Sequence, residues 1–135
     1  MGKRLIIYAD GAAEPNPGPG AIGVVVVDEV GRVVAEISRG IGWATNNQAE
    51  YRAVIRGLEA AAKMGAEHVE VRSDSELVVK QIRGEYRVKN AGLKPLFEQV
   101  HRLTGRFQSY RIVHIPGCQN KADALSREAL SKAGD

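Results

Sequence analysis

The sequence predicts a single α/β domain, a mixed sheet covered by helices, on three observations. Its 135 residues are enough to bury one core and leave no room for a second. The first third holds three apolar or alternating runs separated by turn residues, the pattern of strands. After Thr45 the apolar period lengthens from about 2 to about 3.6, and helical and strand-like segments then alternate along the chain.

Taken in order, Leu5 to Ala9 is a short apolar strand closed by Asp10-Gly11, and the Pro/Gly/Asn cluster Glu14 to Gly20 is a loop. The valine-rich run Ala21 to Val27, the turn Asp28 to Gly31 and the alternating run Arg32 to Ile41 form a hairpin. Ala53, Val54, Gly57, Leu58 and Ala61 then make one stripe of a helix that ends near Gly65. Val69 and Val71 mark a strand stopping at Ser73-Asp74, and a helix from Ser75 to Arg83 follows. Beyond a connector from Gly84 to Gly92, Leu93, Leu96, Phe97, Val100 and Leu103 define an amphipathic helix, with Pro95 tolerated in its first turn. Tyr110 to Ile115 is the last strand, Pro116 to Gln119 a loop, and Asn120 to about Leu130 the last helix. The domain is thus expected over residues 1–130, with a flexible tail at 131–135.

Composition removes several classes of protein. A lone cysteine, Cys118, cannot form an intrachain disulfide, so an oxidising compartment is not needed and a cytoplasmic location is expected. The longest apolar run, Ala21 to Val27, falls well short of the roughly 20 residues of a membrane span. The apolar stretch after Lys3 and Arg4 is too short for a signal peptide. The net charge of +3 hides a division: residues 1–79 carry 8 Lys or Arg against 11 Asp or Glu, and residues 80–135 carry 11 against 5. If the fold keeps that division in space, an acidic pocket beside a basic surface suits a polyanion held near metal-binding carboxylates; a solvated basic face is the plainer alternative.

Four acids stand at strand ends or in first helical turns: Asp10, Glu50, Asp74 and Asp123. Each has a local structural reading. Asp10 could open a turn, Glu50 could complete a capping box with Asn47, Asp74 could cap the helix after it, and Asp123 could complement a helix dipole. Their joint placement argues for more. If the strands ending at Asp10 and Asp74 are parallel neighbours, both acids emerge at one carboxyl edge of the sheet, where ligand sites of open α/β sheets lie. Glu50 heads the stripe that must face the sheet, and a carboxylate there is costly unless a cation meets it. Oxygen-only ligation without a His or Cys cluster favours magnesium or manganese over zinc.

Four motifs then carry a resemblance: YADGAAEPNPGPGA at Tyr8 to Ala21, ATNNQAE at Ala44 to Glu50, SDSELVVKQI at Ser73 to Ile82 and NKADALS at Asn120 to Ser126. The chain resembles ribonuclease H of the type 1 class, in its short bacterial and archaeal form, from Leu5 to about Ala129. The resemblance implies a ribonuclease H-like five-stranded sheet, a three-stranded antiparallel meander plus two parallel strands, flanked by helices. It implies an endonuclease that cleaves the RNA strand of an RNA/DNA hybrid, leaving 5′-phosphate and 3′-hydroxyl ends, and acting as a monomer. Its catalytic and metal-binding acids fall on Asp10, Glu50, Asp74 and Asp123. Asp10 is expected to bridge two Mg2+ ions about 4 Å apart, one activating water and the other stabilising the leaving 3′-oxygen, with Mn2+ as an alternative.

The same resemblance assigns a DNA-strand phosphate to Asn16 and Thr45, and RNA 2′-hydroxyls to Asn46, Asn47 and the backbone of Gly11, Ala12 and Ala13. Amides and peptide groups donate and accept, as does the 2′-OH. The chain also departs from longer relatives. The loop Pro116 to Gln119 has no histidine, and His114, at a strand end, is a structural residue or an assistant in catalysis. In place of an extra helix and basic protrusion it has only Arg83 to Asn90, where Arg83, Tyr86, Arg87 and Lys89 either touch the duplex or stay solvated. Trp43 is expected in the core and Cys118 to be inert. A non-catalytic hybrid-binding module, a DNA-directed nuclease on the same fold, and activity on double-stranded RNA are the rival readings.

Overall fold

The protein is described by a computed structural model covering residues 3–133. In chain order it contains β1 (Arg4–Ala13), β2 (Gly18–Val27), β3 (Val33–Ala44), α1 (Asn46–Lys63), β4 (His68–Ser73), α2 (Glu76–Ile82), α3 (Lys94–Thr104), β5 (Ser109–His114), a short 3-10 turn at Gly117–Gln119, and α4 (Asp123–Ala133). The five strands form one sheet in the order β3-β2-β1-β4-β5. Pairing is antiparallel between β1 and β2 and between β2 and β3, and parallel between β1, β4 and β5. The expected mixed sheet, meander plus parallel pair, is therefore the observed one.

Two helices clamp the middle of the sheet. On one face α1 buries Ala53, Val54, Leu58 and Ala61 against Ile7, Val24 and Val71. On the other, Leu125 of α4 and Ala122 just before it pack against Tyr8 and Val25. Every β2 residue from Gly20 to Val27 is consequently buried, which is why that segment reads as a continuous valine run rather than an alternating one. Gly23 makes the second contact possible, since a side chain there would drive into the Ala122 carbonyl.

The boundaries differ from expectation in informative ways. Asp10-Gly11 does not end β1; the strand continues to Ala13 because its antiparallel partner supplies bonds as far as the Ala13–Gly20 pair. β2 begins at Gly18, inside the expected loop, and β3 runs on to Ala44, past a register shift that leaves Ile41 as the extra residue. The α4 helix continues to Ala133, so Ser131 and Lys132 of the expected tail are helical, while Gly134 and Asp135 lie outside the described residues. Trp43 is not in the core: it is 73% exposed. Among the described residues no helix is long and apolar enough to cross a membrane.

Candidate active site

The last parallel pair between β1 and β4 is Ala9 with Ser73, so the residues that follow, Asp10 within β1 and Asp74 just past β4, emerge side by side. Glu50 comes to the same place from α1. Oxygen atoms of Asp10, Glu50 and Asp74 lie within 4.8 Å of one another, with no His or Cys in the group.

The local readings of Glu50 and Asp74 fail for identifiable reasons, whereas Asp123 does stand in the first turn of α4, where an acid suits the helix dipole. The capping box at the start of α1 is made by Thr45 and Gln48: the Thr45 hydroxyl accepts the Gln48 N–H at 3.1 Å, and the Gln48 side chain accepts the Thr45 N–H at 2.9 Å. Glu50 is left to point at the sheet, where it accepts the Gly11 N–H at 2.6 Å. Ser75, not Asp74, caps α2, its hydroxyl accepting the Val78 N–H at 3.3 Å. Asp123 stands at the start of α4 beside this group but outside the triad, and its carboxylate pairs with Arg127 at 2.6 Å.

The electrostatics are those of a site short of positive charge. Burial, reinforced by Asp74 and Asp123, pushes the Asp10 carboxyl up to about 6 although the Ser126 hydroxyl opposes the shift. Burial, then the charges of Asp10 and Asp74, pushes Glu50 well above the ordinary range. Two carboxyls of raised proton affinity with a third acid beside them, only oxygen donors and no lysine or arginine in the group, fit a hard divalent cation such as Mg2+ or Mn2+.

Two residues not singled out as site residues from the sequence hold this arrangement. The Ser126 hydroxyl, on a residue 1% exposed, donates to Asp10 Oδ2, within reach also of the Asp123 carbonyl at 3.0 Å. The Asn120 amide donates to the Ala9 carbonyl at 2.9 Å and its oxygen accepts the Ala122 N–H, fastening the start of α4 to β1. The available signal was spacing: Ser126 lies three residues after Asp123, on the same face of a helix.

The residues expected to meet substrate lie along the same end of the sheet. Asn46 Oδ1 accepts the Ala13 N–H at 2.7 Å, and the exposed Asn16 accepts the Asn46 N–H at 3.0 Å, linking the loop after β1 to the start of α1. Asn47 is half-buried next to them, and Gly11 and Ala12 lie on β1 itself. His114, exposed at the end of β5, places Nε2 at 3.3 Å from the Asp74 carbonyl rather than on a carboxylate. Arg83, Arg87 and Lys89 are all exposed; Arg83 pairs with Glu85 at 2.9 Å. Cys118 is exposed in the turn before α4.

Comparison with known proteins places this architecture. Residues 8–129 match the reverse transcriptase-like family. Ribonuclease HI of Halobacterium salinarum is 45% identical over 133 residues, which is 98% of this chain and 67% of that protein. A ribonuclease H domain from Mycobacterium tuberculosis, solved as a fusion, superposes with a TM-score of 0.95 at 40% identity, covering 98% of this chain and 96% of that one. The bifunctional protein Rv2228c of that organism is longer, and this chain spans 36% of it. A structure of LC11-RNase H1 in complex with RNA/DNA hybrid gives 0.91 at 44% identity, covering 97% of this chain and 99% of that one. Motifs, topology and these likenesses agree: the chain belongs to the type 1 ribonuclease H family of enzymes.

Proposed function

We propose that this chain is an endoribonuclease that cleaves the RNA strand of RNA/DNA hybrids, hydrolysing phosphodiester bonds to leave 5′-phosphate and 3′-hydroxyl ends. The observation that carries the reading is the triad of Asp10, Glu50 and Asp74 at the carboxyl edge of the sheet, its oxygens within 4.8 Å of one another. The relative solved with RNA/DNA hybrid supports the substrate class.

In this reading Asp10, Glu50 and Asp74 hold two divalent ions, Mg2+ or Mn2+, and Asp123 completes the donor set. Bound there, the ions supply an activated water and charge stabilisation at the leaving 3′-oxygen. The chain itself supplies position. Ser126 and the Gly11 N–H fix the orientations of Asp10 and Glu50 before any ion binds. Asn46, whose carbonyl is taken by Ala13, presents its amide NH2 as a donor to an RNA 2′-hydroxyl, with Asn47 and the backbone of Gly11, Ala12 and Ala13 alongside. Thr45, whose oxygen already accepts within the capping box, keeps its hydroxyl hydrogen for a DNA-strand phosphate, with Asn16 next to it. His114 contributes through the Asp74 backbone and not as a reacting group. The enzyme works as a cytoplasmic monomer.

Labelled RNA/DNA hybrid, double-stranded RNA, single-stranded RNA and DNA duplex, each offered with magnesium, manganese or chelator, test this directly. Metal-dependent cleavage of the RNA strand of the hybrid is expected. Cleavage of the all-DNA duplex at an equal rate overturns the assignment.

A further inference from the structure

Trp43 is the sole tryptophan of the chain, and its large apolar side chain is 73% exposed. It stands near the end of β3, the outer strand of the sheet, directly opposite Pro19 of β2. Both segments lead straight to polar residues at the candidate site: Pro19 follows Asn16 by three residues, and Trp43 precedes Thr45 by two. The Asn46 N–H to Asn16 bond, at 3.0 Å, ties these two segments together. Arg52 of α1 adds a cation at this end of β3, reaching the Ile41 carbonyl at 3.3 Å.

The topology sets the separation from the carboxylates. Asp10 pairs with Gly23 and Gly23 with Ser38, whereas Trp43 pairs with Pro19, so Trp43 lies two strand spacings across the sheet from Asp10, about 10 Å, and four β2 residues, about 13 Å, along it. That is the scale on which a duplex lying over the edge presents its second backbone across a shallow minor groove. With the RNA strand at the acids, the strand at Trp43 is the DNA strand. An aromatic face that stays in water in the free protein, next to hydrogen-bonding groups and a guanidinium, has the make-up of a nucleic-acid packing platform.

We propose that Trp43 is a specificity-determining residue that packs its indole face against the deoxyribose of the DNA strand held by Asn16 and Thr45. This rests on the hybrid-cleaving activity proposed above. The 2′-methylene of deoxyribose gains apolar contact there. A ribose in the same place buries its 2′-hydroxyl against the ring without a partner, which is unfavourable. Trp43 thereby favours a hybrid over an all-RNA duplex, although both offer a ribose strand to Asn46 and Asn47.

Because the chain has one tryptophan, its fluorescence reports on this position alone. The Asp10→Asn chain, and the unmodified chain in chelator, are titrated with hybrid and with all-RNA duplex. Hybrid is expected to quench and shift the emission; all-RNA duplex at the same concentration is expected to leave it unmoved. In steady-state assays with magnesium, Trp43→Ala is expected to raise KM for hybrid roughly tenfold, within the range of aromatic stacking on nucleic acid, with the loss in KM rather than kcat. Trp43→Phe restores most of it, and Trp43→Ala narrows the preference for hybrid over all-RNA duplex. An unmoved spectrum at saturating hybrid, or an unchanged KM, overturns the role of Trp43 while leaving the activity intact. Failure of the unmodified chain to cleave hybrid overturns the activity and this inference together.

Discussion

The Glu50 carboxylate accepts the Gly11 N–H at 2.6 Å, joining the second turn of α1 to the C-terminal end of β1. The bond is possible because α1 lies so close to β1 at this point that a side chain on residue 11 would collide with the Ala49 carbonyl. Backbone contact between helix and strand is thus what delivers Glu50 to Asp10 and Asp74.

Gly11→Ala tests that relationship. The added methyl meets backbone, which cannot rotate away, so α1 must lift from β1. A loss of about 1 to 3 kcal/mol is expected, as for an overpacked core position, together with loss of metal-dependent cleavage. Thermal unfolding followed by circular dichroism checks the first; an unchanged midpoint would mean that the contact relaxes at no cost.

Glu50→Gln should separate charge from shape. The amide oxygen still accepts from Gly11, but the repulsion with Asp10 and Asp74 and the burial of a charge disappear. The metal-free variant is therefore expected to melt several degrees above the unmodified chain while cleaving no hybrid. A lower metal-free midpoint would show that the protein itself compensates the Glu50 charge.

The same residues show how far the sequence alone could lead. Asp10, Asp74 and Glu50 were identifiable together because apolar runs followed by an acid, and an apolar stripe with a carboxylate at its head, are patterns of composition and period, even though β1 runs on past Asp10. Which residue caps α1 was not readable: Thr45-x-x-Gln48 and Asn47-x-x-Glu50 are overlapping frames of one pattern, and packing against β1 selects the first. The Asp-Gly step looked like a turn because local propensity favours one; pairing with β2 as far as Ala13 overrides it. Trp43 looked like core because tryptophan usually is, and its place on an edge strand is set by tertiary topology alone.

Stability without metal should depend on pH with a definite sign. Asp10 binds a proton up to about pH 6 in the folded chain and Glu50 binds one above the ordinary carboxylate range, whereas in the unfolded chain both titrate near pH 4. The folded state therefore holds more protons over that interval, so stability is fullest below it and is lost as pH rises through 6. Half-buried Asp28, held below the ordinary range by the Arg32 N–H, and exposed Glu76, held there by Lys80, act in the opposite sense only in stronger acid. In chelator the melting midpoint should fall between pH 5 and 7. Magnesium should remove that fall, because it binds the deprotonated group. A midpoint that rises over the interval in chelator would contradict the charge assignment.

Ser126→Ala removes the hydroxyl that donates to Asp10 and leaves a residue that α4 accommodates. Without that donor the Asp10 carboxylate loses its fixed orientation, and divalent-ion affinity should weaken about tenfold or more, as for other partners that orient a metal ligand. Calorimetric titration of the chain with magnesium measures this apart from catalysis. Equal affinity in variant and parent would mean that α4 packing alone orients Asp10.

The connector after α2 carries three cations that are not equivalent. Arg83 pairs with Glu85 at 2.9 Å, whereas Arg87 and Lys89 stand exposed beyond it. Neutralising Arg87 and Lys89 should weaken hybrid binding by a similar factor for every base sequence, because a cation on a phosphate reads no base. The slope of log affinity against log salt should become shallower by up to about 0.9 for each phosphate no longer neutralised, taking the duplex-DNA value as a guide. Neutralising Arg83 should change the slope less, since Glu85 already offsets its charge. Turnover at saturating hybrid should hold in all three variants, as these charges meet ground and transition states alike. An unchanged slope after neutralising Arg87 and Lys89 would make the connector a solvated face, and would move the grip on the duplex to the other basic residues after Lys80, such as Arg111, Lys121 and Arg127.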